Sequence, residues 1–430
     1  MRMRLLVPRS GRGRGLGGLA ALGLLVAAVL VVAGRGEDEP REQTPPARTA
    51  TPTPEPARFD APTDGPSLAV GVTEQNPNLL EPIGPGSDTA PWTTWRDALT
   101  RVDPAVYRLL VVWYEVQPGP DAPPNLAVPQ TGCMRERPPC AAFNGVRDQL
   151  VALAARQREG GWEGLVTITG TPEWAAGSAS GCPGSRQTGA PRPDALPAYR
   201  QLLAAIFALA DEVGASLRYV SPWNEPNHPY FLSPQRQRCD AAAAPRAVAP
   251  YGRLVRAAQA EMGDDRELVL GEAAGVVEPQ ARALSVGELI RGLPRDVVCD
   301  APVWSQHGYI GGRDPVAAAT TALDARGCPR PHAIWITETG VGTAPSGLSF
   351  ATRVGSEREG CRLLHARMSA WYENPRVTVA MQYTMREDHL FPTGLVTTDL
   401  ARARAALGEW QAWGSRPSFD APPPNVNCAG

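Results

Sequence analysis

Eight short runs of apolar and β-branched residues recur along the chain after residue 66, and stretches rich in Ala, Leu and Arg follow most of them. The runs begin near Ser67, Tyr107, Gly164, Ser216, Glu267, Cys299, His332 and Arg376. Their mean spacing of about 44 residues fits one strand, one helix and the loops that join them. Because the runs are nearly continuously apolar rather than alternating, they predict parallel strands that are covered on both faces.

Strand and helix patterns that alternate eight times predict an α/β protein with a (β/α)8 TIM barrel, and a doubly wound sheet is the main alternative. Each run ends in polar or aromatic residues. Because the carboxyl ends of barrel strands converge on one face, where barrel active sites lie, these polar ends favour the barrel. We expect a single domain over residues 66–415, with helices over residues 194–213, 251–262 and 356–372 in its outer ring.

The N-terminus carries the pattern of an export segment. Five Arg residues precede an uncharged apolar run over residues 16–34. The length of this run favours a retained membrane anchor, while the small residues around Ala33 also permit cleavage of a signal peptide. Residues 35–65 are rich in Pro, Thr, Glu and Arg and predict a disordered linker. We therefore expect the domain to lie outside the cytoplasm, either anchored or secreted.

Charge and cysteine content narrow the possible functions further. All 42 basic residues are Arg, which excludes chemistry through a lysine Schiff base. After residue 36 the chain has 36 basic and 44 acidic residues, an acidic balance that argues against nucleic-acid binding. The His residues form no HxH or HExxH motif and the Cys residues no CxxC pair, so we expect no metal and no cofactor.

Eight cysteines in an exported chain predict disulfides. Cysteine spacing alone leaves many pairings open, and the predicted barrel favours one of them. The expected pairs are Cys133 with Cys140, Cys182 with Cys239, Cys299 with Cys328, and Cys361 with Cys428. The last pair would tether a C-terminal tail over residues 416–430.

Two of the predicted strands end in a glutamate. The fourth run ends in Asn224-Glu225-Pro226, and the seventh ends at Glu338. Strands four and seven lie across the mouth of a barrel from each other, so the two carboxylates can face one bond of a substrate from either side. A carboxylate pair about 5–5.5 Å apart performs retaining glycoside hydrolysis, with one group as nucleophile and the other as acid and then base.

These residues resemble the clan of retaining (β/α)8 glycoside hydrolases that includes families 5 and 39. In that clan Asn-Glu-Pro ends strand four and a Glu ends strand seven, and the resemblance covers residues 67–413. Four further segments match the patterns of other strands, namely Arg108 to Trp113, Thr171 to Trp174, His307 to Tyr309, and Gly394 to Val396. The resemblance implies a glycosidase that acts on a poly- or oligosaccharide, and we expect a monomer.

Carried over by position, the resemblance implies that Glu225 is the general acid/base and Glu338 the nucleophile. Asn224 would contact the sugar 2-hydroxyl, while Arg108 and Tyr309 would orient or charge-stabilise Glu338. We expect a raised pKa for the acid and an ionised nucleophile. The histidine of the strand-six motif, His307, is expected to act as a hydrogen-bonding residue near the substrate.

The sequence leaves the roles of the aromatic residues open. Strand eight of the clan presents a Trp under the sugar, whereas here Tyr383 stands near that place. Trp113, Trp174 and Trp223 are candidates for stacking on sugar rings, and packing is an equally good interpretation of each. Three other strand-end glutamates match no motif and are expected to have structural or substrate-rim roles, namely Glu74, Glu173 and Glu272. The alternatives to a glycosidase are an inactive carbohydrate-binding barrel and another exported barrel hydrolase.

Overall fold

The computed structural model describes residues 58–177, 188–342, 354–388 and 391–428. Its centre is a closed barrel of eight parallel strands, in which the first strand pairs with both the second and the last. The strands are β1 (Ala69–Thr73), β2 (Val106–Val112), β3 (Glu163–Thr169), β4 (Tyr219–Ser221), β5 (Glu267–Ala273), β6 (Val303–His307), β7 (Ala333–Thr339) and β8 (Val377–Tyr383). The predicted barrel is thus confirmed, and the doubly wound alternative is wrong because the sheet closes.

Side-chain alternation along the strands divides the core into two layers. One buried cluster draws residues from all eight strands, among them Ala69, Val106, Val269 and Trp335, and none from a helix. Strand residues facing the other way join helix residues in a second and larger cluster. Because successive strand side chains point to opposite faces, the first cluster fills the barrel and the second lies between barrel and helices.

Helices surround the barrel. They are α1 (Trp92–Thr100), α2 (Trp113–Val116), α3 (Gly145–Glu159), α4 (Leu196–Val213), α5 (Val248–Gln259), α6 (Val286–Gly292), α7 (Arg295–Asp300), α8 (Val316–Asp324), α9 (Glu357–Tyr372) and α10 (Ala406–Gly414). The three predicted helices correspond to α4, α5 and α9, with ends that differ by at most three residues. Short 3-10 turns cover Pro77–Leu79 and Pro193–Ala195, and Pro129–Gln130 pairs with Phe143–Asn144 in a small antiparallel ribbon.

The sequence of α4 explains its bounds. Its apolar residues recur at helical spacing, and those on one face, such as Leu203 and Ile206, are fully buried. Gly214 ends the helix with φ of 74°, a left-handed conformation that glycine adopts without steric cost. The helix therefore packs lengthwise on the barrel and ends where the chain turns toward β4.

Three of the four expected disulfides are present, namely Cys133–Cys140, Cys299–Cys328 and Cys361–Cys428. Cys239 is disulfide-bonded, and its expected partner Cys182 lies outside the described residues, as do the expected anchor over residues 16–34 and most of the expected linker. Within the described part of the chain, no helix is both long and apolar enough to cross a membrane.

Candidate active site

Six of the predicted site residues meet at the carboxyl-terminal mouth of the barrel. Arg108 comes from β2, Asn224 and Glu225 follow β4, His307 ends β6, Tyr309 follows it, and Glu338 lies on β7. Hydrogen bonds join them into two groups, and the 3.2 Å contact between His307 Nδ1 and Glu338 Oε2 links the groups into one network. The convergence of strand ends that the sequence predicted therefore brings these side chains together.

A β-bulge turns Glu338 into the barrel mouth. Ala333 and Trp335 point into the barrel, so strict alternation would turn Glu338 outward, toward the helices. Gln306 of β6 pairs with Ile336, but the next residue, His307, pairs with Glu338. The extra residue in β7 reverses the alternation and aims the carboxylate at the centre of the mouth.

Two hydrogen-bond donors and a histidine ring surround the Glu338 carboxylate. Arg108 Nη1 donates to Oε1 at 2.8 Å, and the Tyr309 hydroxyl donates to Oε2 at 2.7 Å. Nδ1 of His307 lies 3.2 Å from Oε2. Glu338 is only 7% exposed, so these charge-assisted contacts fix the orientation of its carboxylate rather than merely neutralise it.

The second carboxylate, Glu225, stands on strained backbone beside the first. Its φ is 44°, which is unusual for a residue other than glycine, and its N–H donates to the carbonyl oxygen of Glu272 at 2.8 Å. Oε1 lies 2.7 Å from His307 Nδ1. One oxygen of Glu225, one oxygen of Glu338 and a His307 ring nitrogen all lie within 4.8 Å of one another.

Arg108 fixes the neighbouring amide as well as the carboxylate. It is fully buried and donates from Nη2 to Asn224 Oδ1 at 2.6 Å. Because a guanidinium can only donate, the oxygen of the Asn224 amide must face it and the NH2 group must point away. Among the described residues this NH2 group has no hydrogen-bond partner.

The pKa of Glu225 is shifted in a different direction from the one expected, and the pKa of its neighbour His307 is raised. Burial alone would lower the pKa of His307, but the charges of Glu338, Glu225 and Glu272 outweigh it and raise that pKa to about 10. Burial alone would raise the pKa of Glu225, but the hydrogen bond and charge of His307 outweigh it and lower that pKa. The pKa of Glu225 is thus shifted in the direction opposite to the expected one, because the hydrogen bond and charge of His307 favour the ionised carboxylate.

Glu272, which the sequence assigned to a structural or rim role, lies inside this network. It is fully buried, forms an ion pair with Arg108, and its Oε2 lies 3.6 Å from His307 Nε2. A register shift in β5 between Leu270 and Ala273 turns it inward, as in β7. Gly271 permits this bulge, since its φ is 107° and a Cβ there would lie 2.3 Å from the Ser305 carbonyl oxygen. A Gly-Glu pair at a strand end is the only sequence signal of this position.

The four aromatic candidates divide into packing residues and mouth residues. Trp113 and Trp223 are fully buried around Tyr199 of α4, so no ring face is open to a sugar and the stacking interpretation of these two is wrong. Trp174 is half-buried and donates from Nε1 to the Gln117 carbonyl oxygen at 3.1 Å. It keeps part of its ring at the surface.

Tyr383 and an unexpected residue, Phe391, form an aromatic wall beside Glu338. The Phe391 ring lies 4.9 Å from the Tyr309 ring and 5.7 Å from the Tyr383 ring, in edge-to-face geometry with both. Burial raises the pKa of Tyr383, and the charge of Glu338 raises it further. All three rings are half-buried, so the wall presents apolar surface to the mouth.

A cleft of about 400 Å³ opens next to Glu225. Glu225, His228, His307 and Tyr309 line its inner end, and the segments after β5 and β6 line its walls. His228 Nδ1 lies 3.8 Å from Glu225 Oε2, and burial lowers the pKa of His228. The volume suits a small-molecule or oligomeric ligand that reaches the Glu225 carboxylate.

In the part of the chain that the structure describes, two groups of side chains have metal-ligand chemistry. In Glu225, His307 and Glu338, a hydrogen bond of 2.7 Å joins His307 to Glu225, His307 lies 3.2 Å from Glu338, and the Arg108 cation faces the Glu338 carboxylate. In the second group the two sulfur atoms, of Cys361 and Cys428, are joined in a disulfide. Both arrangements fit the bonds already present better than a bound cation.

No protein-family model matches the chain, and no curated protein matches its sequence. Solved structures that resemble its fold include a family 39 glycoside hydrolase from Bacteroides cellulosilyticus WH2, at 14% identity and TM-score 0.50, over 85% of this chain and 66% of that one. This chain thus spans just under two thirds of that protein. A GH30 endoxylanase from Clostridium papyrosolvens C71 matches at 9% identity and TM-score 0.52, over 83% of this chain and 74% of that one. A glucosidase from Croceicoccus marinus matches at 13% identity and TM-score 0.51, over 83% and 69%. At these identities the likeness concerns the fold.

Proposed function

We propose that the protein is a retaining glycoside hydrolase that cleaves O-glycosidic bonds of a poly- or oligosaccharide. The observation that carries this proposal is the approach of Glu225 and Glu338 to within 4.8 Å, oxygen to oxygen, at the barrel mouth. Retaining enzymes have carboxyl groups about 5–5.5 Å apart, whereas inverting enzymes need about 6.5–9.5 Å to admit water between them. The glycosidases among proteins of similar fold support the same class of reaction.

Glu338 is the proposed nucleophile. Arg108 and Tyr309 donate to its two oxygens and keep the carboxylate ionised and oriented toward the mouth. Attack of one oxygen on the anomeric carbon forms a glycosyl ester as the glycosidic C–O bond breaks. The resulting neutralisation of Glu338 leaves the charge of Arg108 balanced by Glu272.

Glu225 is the proposed acid/base because it lines the cleft where a leaving group would stand. It gives a proton to the departing oxygen in the first step and takes one from water in the second. The free NH2 group of Asn224, turned away from Arg108, is the proposed donor to the sugar 2-hydroxyl. Tyr383, Phe391 and the half-buried Trp174 are the proposed apolar surfaces for sugar rings.

The test is hydrolysis of a panel of aryl glycosides and polysaccharides by the full chain, with NMR of the first-formed anomer. We expect retained configuration, and a loss of several orders of magnitude in Glu338→Gln. Glu225→Gln should lose about 10²–10⁴-fold on substrates with poor leaving groups, and far less on dinitrophenyl glycosides, which need no proton.

Glu409→Gln is the matched control. Glu409 is equally buried and also pairs with a histidine, at 2.9 Å, but it lies on α10. Turnover with inverted configuration would refute the double displacement. Binding of glycans without turnover across the panel would instead support the carbohydrate-binding alternative.

We also propose that the enzyme works outside the cytoplasm, held by residues 16–34. Three disulfides in the described residues are typical of proteins from oxidising compartments. Fractionation of cells and mass spectrometry of the N-terminus test this placement. Membrane-bound protein with residues 16–34 intact is the expected result, and a mature N-terminus just after Ala33 in the medium would refute the anchor.

A further inference from the structure

The His307 ring is bounded by carboxylates on both of its nitrogens. Nδ1 lies 2.7 Å from Glu225 and 3.2 Å from Glu338, while Nε2 lies 3.6 Å from Glu272. A neutral imidazole has one donor and one acceptor nitrogen, so its acceptor would face a carboxylate. Nε2 forms no hydrogen bond among the described residues, so Glu272 acts on it through charge, and a carboxylate near each nitrogen favours the imidazolium.

Glu272 is the member of the network with no place in the proposed double displacement. The bulge at Gly271 turns it inward, it is fully buried, and its Oε1 has no partner among the described residues. Burial of a carboxylate with one oxygen unpaired is costly, and a bulge on left-handed backbone adds to that cost. An arrangement so unfavourable for stability is typical of a residue retained for function.

We propose that Glu272 is a positioning residue that holds His307 as an imidazolium against Glu225, so that the proton needed by the leaving group is stored on His307. This inference rests on the proposed glycosidase function and assigns a role that the two-carboxylate mechanism leaves open. Glu272 has a second contact, an ion pair with Arg108, and thus anchors both cations of the site.

The proton transfers balance over the reaction. In the first step the Nδ1 proton of His307 passes to Glu225 and from it to the glycosidic oxygen, leaving a neutral imidazole. In the second step Glu225 takes a proton from the attacking water and returns it to Nδ1 as Glu338 leaves the anomeric carbon. Glu272 stays ionised throughout, because Arg108 faces it, and its pKa is lowered: burial opposes this shift, but the charges of Arg108 and His307 outweigh it.

Several other charged or titratable groups face this network and bear on its pH dependence. They are Arg108 on β2, Glu225 and His228 after β4, Tyr309 after β6, Glu338 on β7 and Tyr383 on β8. Burial raises the pKa of both tyrosines above its ordinary value, and Arg108 stays charged. We therefore expect the alkaline transition of the site to follow the raised pKa of His307, which is about 10.

The experiment compares Glu272→Gln with the wild-type full chain by two measurements. One is the pH dependence of kcat/KM on an aryl glycoside with a poor leaving group, and the other is the 15N NMR titration of the five histidines, with His307→Gln to assign the signal. Removal of one charge 3.6 Å from Nε2 should lower the His307 pKa and the alkaline limb together, by about two pH units. Glu409→Gln should move neither.

Each outcome is decisive. An active, folded Glu272→Gln enzyme whose alkaline limb and His307 titration equal the wild type would overturn the inference, since a purely structural role changes only stability. If Glu272→Gln does not fold, Glu272→Asp replaces it, and its shorter charged side chain should give a smaller shift in the same direction. A wild-type chain with no glycosidase activity would refute the proposed function, whereas a low His307 pKa in that chain would refute the proton store by itself.

Discussion

Arg108→Lys should lower the activity of the enzyme strongly without unfolding it. The arginine donates to Glu338 and Asn224 and forms an ion pair with Glu272, all of them buried. Lysine keeps the charge but presents a single ammonium on a flexible stem, which cannot match the fixed fork of a guanidinium. We therefore expect the Glu338 or the Asn224 contact to be lost.

The magnitude follows from the contacts. One charge-assisted hydrogen bond to a buried group contributes about 1.5–3 kcal/mol, and 1.36 kcal/mol corresponds to a factor of about ten in rate. Loss of the bond that orients Glu338 should thus lower kcat/KM about 10- to 150-fold. A larger loss would indicate that Asn224 has also lost its orientation.

The assay is kcat/KM on an aryl glycoside, with urea unfolding of the same samples. Arg156→Lys is the control, because Arg156 is also a buried arginine that contacts two carboxylates, at 2.8 and 3.2 Å, but it lies on α3. It should lose stability without losing activity. If Arg108→Lys keeps kcat/KM within threefold of the wild type, or loses no more than Arg156→Lys, the assignment of Arg108 to positioning is refuted.

Three further predictions concern pH, backbone and aromatic packing. Because the pKa of His307 is raised in the folded protein, its protonation stabilises the fold fully below about pH 6.5, and this stabilisation is lost as pH rises through about 10. Urea unfolding should therefore show a decline in wild-type stability at alkaline pH that is missing in His307→Gln. Gly271→Ala should lower the free energy of unfolding by about 2 kcal/mol or more, because a Cβ there meets a carbonyl oxygen at 2.3 Å. Gly408→Ala on α10, which has open space around it, should stabilise the fold slightly, and equal melting temperatures of the two variants would contradict this. Trp113→Phe should lower stability and leave KM unchanged, since the Trp113 ring is fully buried, while Trp174→Ala should raise KM. The reverse pattern would show that the packing role of Trp113 and the sugar-binding role of Trp174 have been assigned wrongly.

The strands and the Glu225–Glu338 pair could be predicted because each leaves a local signal. Continuous apolar runs mark buried parallel strands, and Asn224-Glu225-Pro226 stands directly at a strand end. Glu272 could not be predicted, since strict alternation from Val269 turns it toward the helices, and a bulge depends on pairing with the neighbouring strand.

For a related reason, the sequence could not show which tryptophans pack in the core and which face the substrate. Trp113 and Trp174 both lie near strand ends, and their sequence context predicts sugar stacking and packing equally well. Tyr199, on α4, distinguishes the two tryptophans, because its ring packs against Trp113 with 5.6 Å between the ring centroids. The sugar-facing role of a ring thus depends on a contact distant in sequence. The raised pKa of His307 likewise depends on three carboxylates from three different strand ends.

The Cys361–Cys428 disulfide has a consequence for how the molecule comes apart. It encloses β8 and α10 within a covalent loop of 67 residues. On a chain-entropy argument, closing such a loop disfavours the unfolded state by about 4 kcal/mol. A single cut in the chain inside this loop therefore leaves both fragments attached to each other until the disulfide is reduced. Limited proteolysis that cuts once between β8 and Cys428 should then separate β8, which pairs with β1 and β7, from the C-terminal fragment only under reducing conditions.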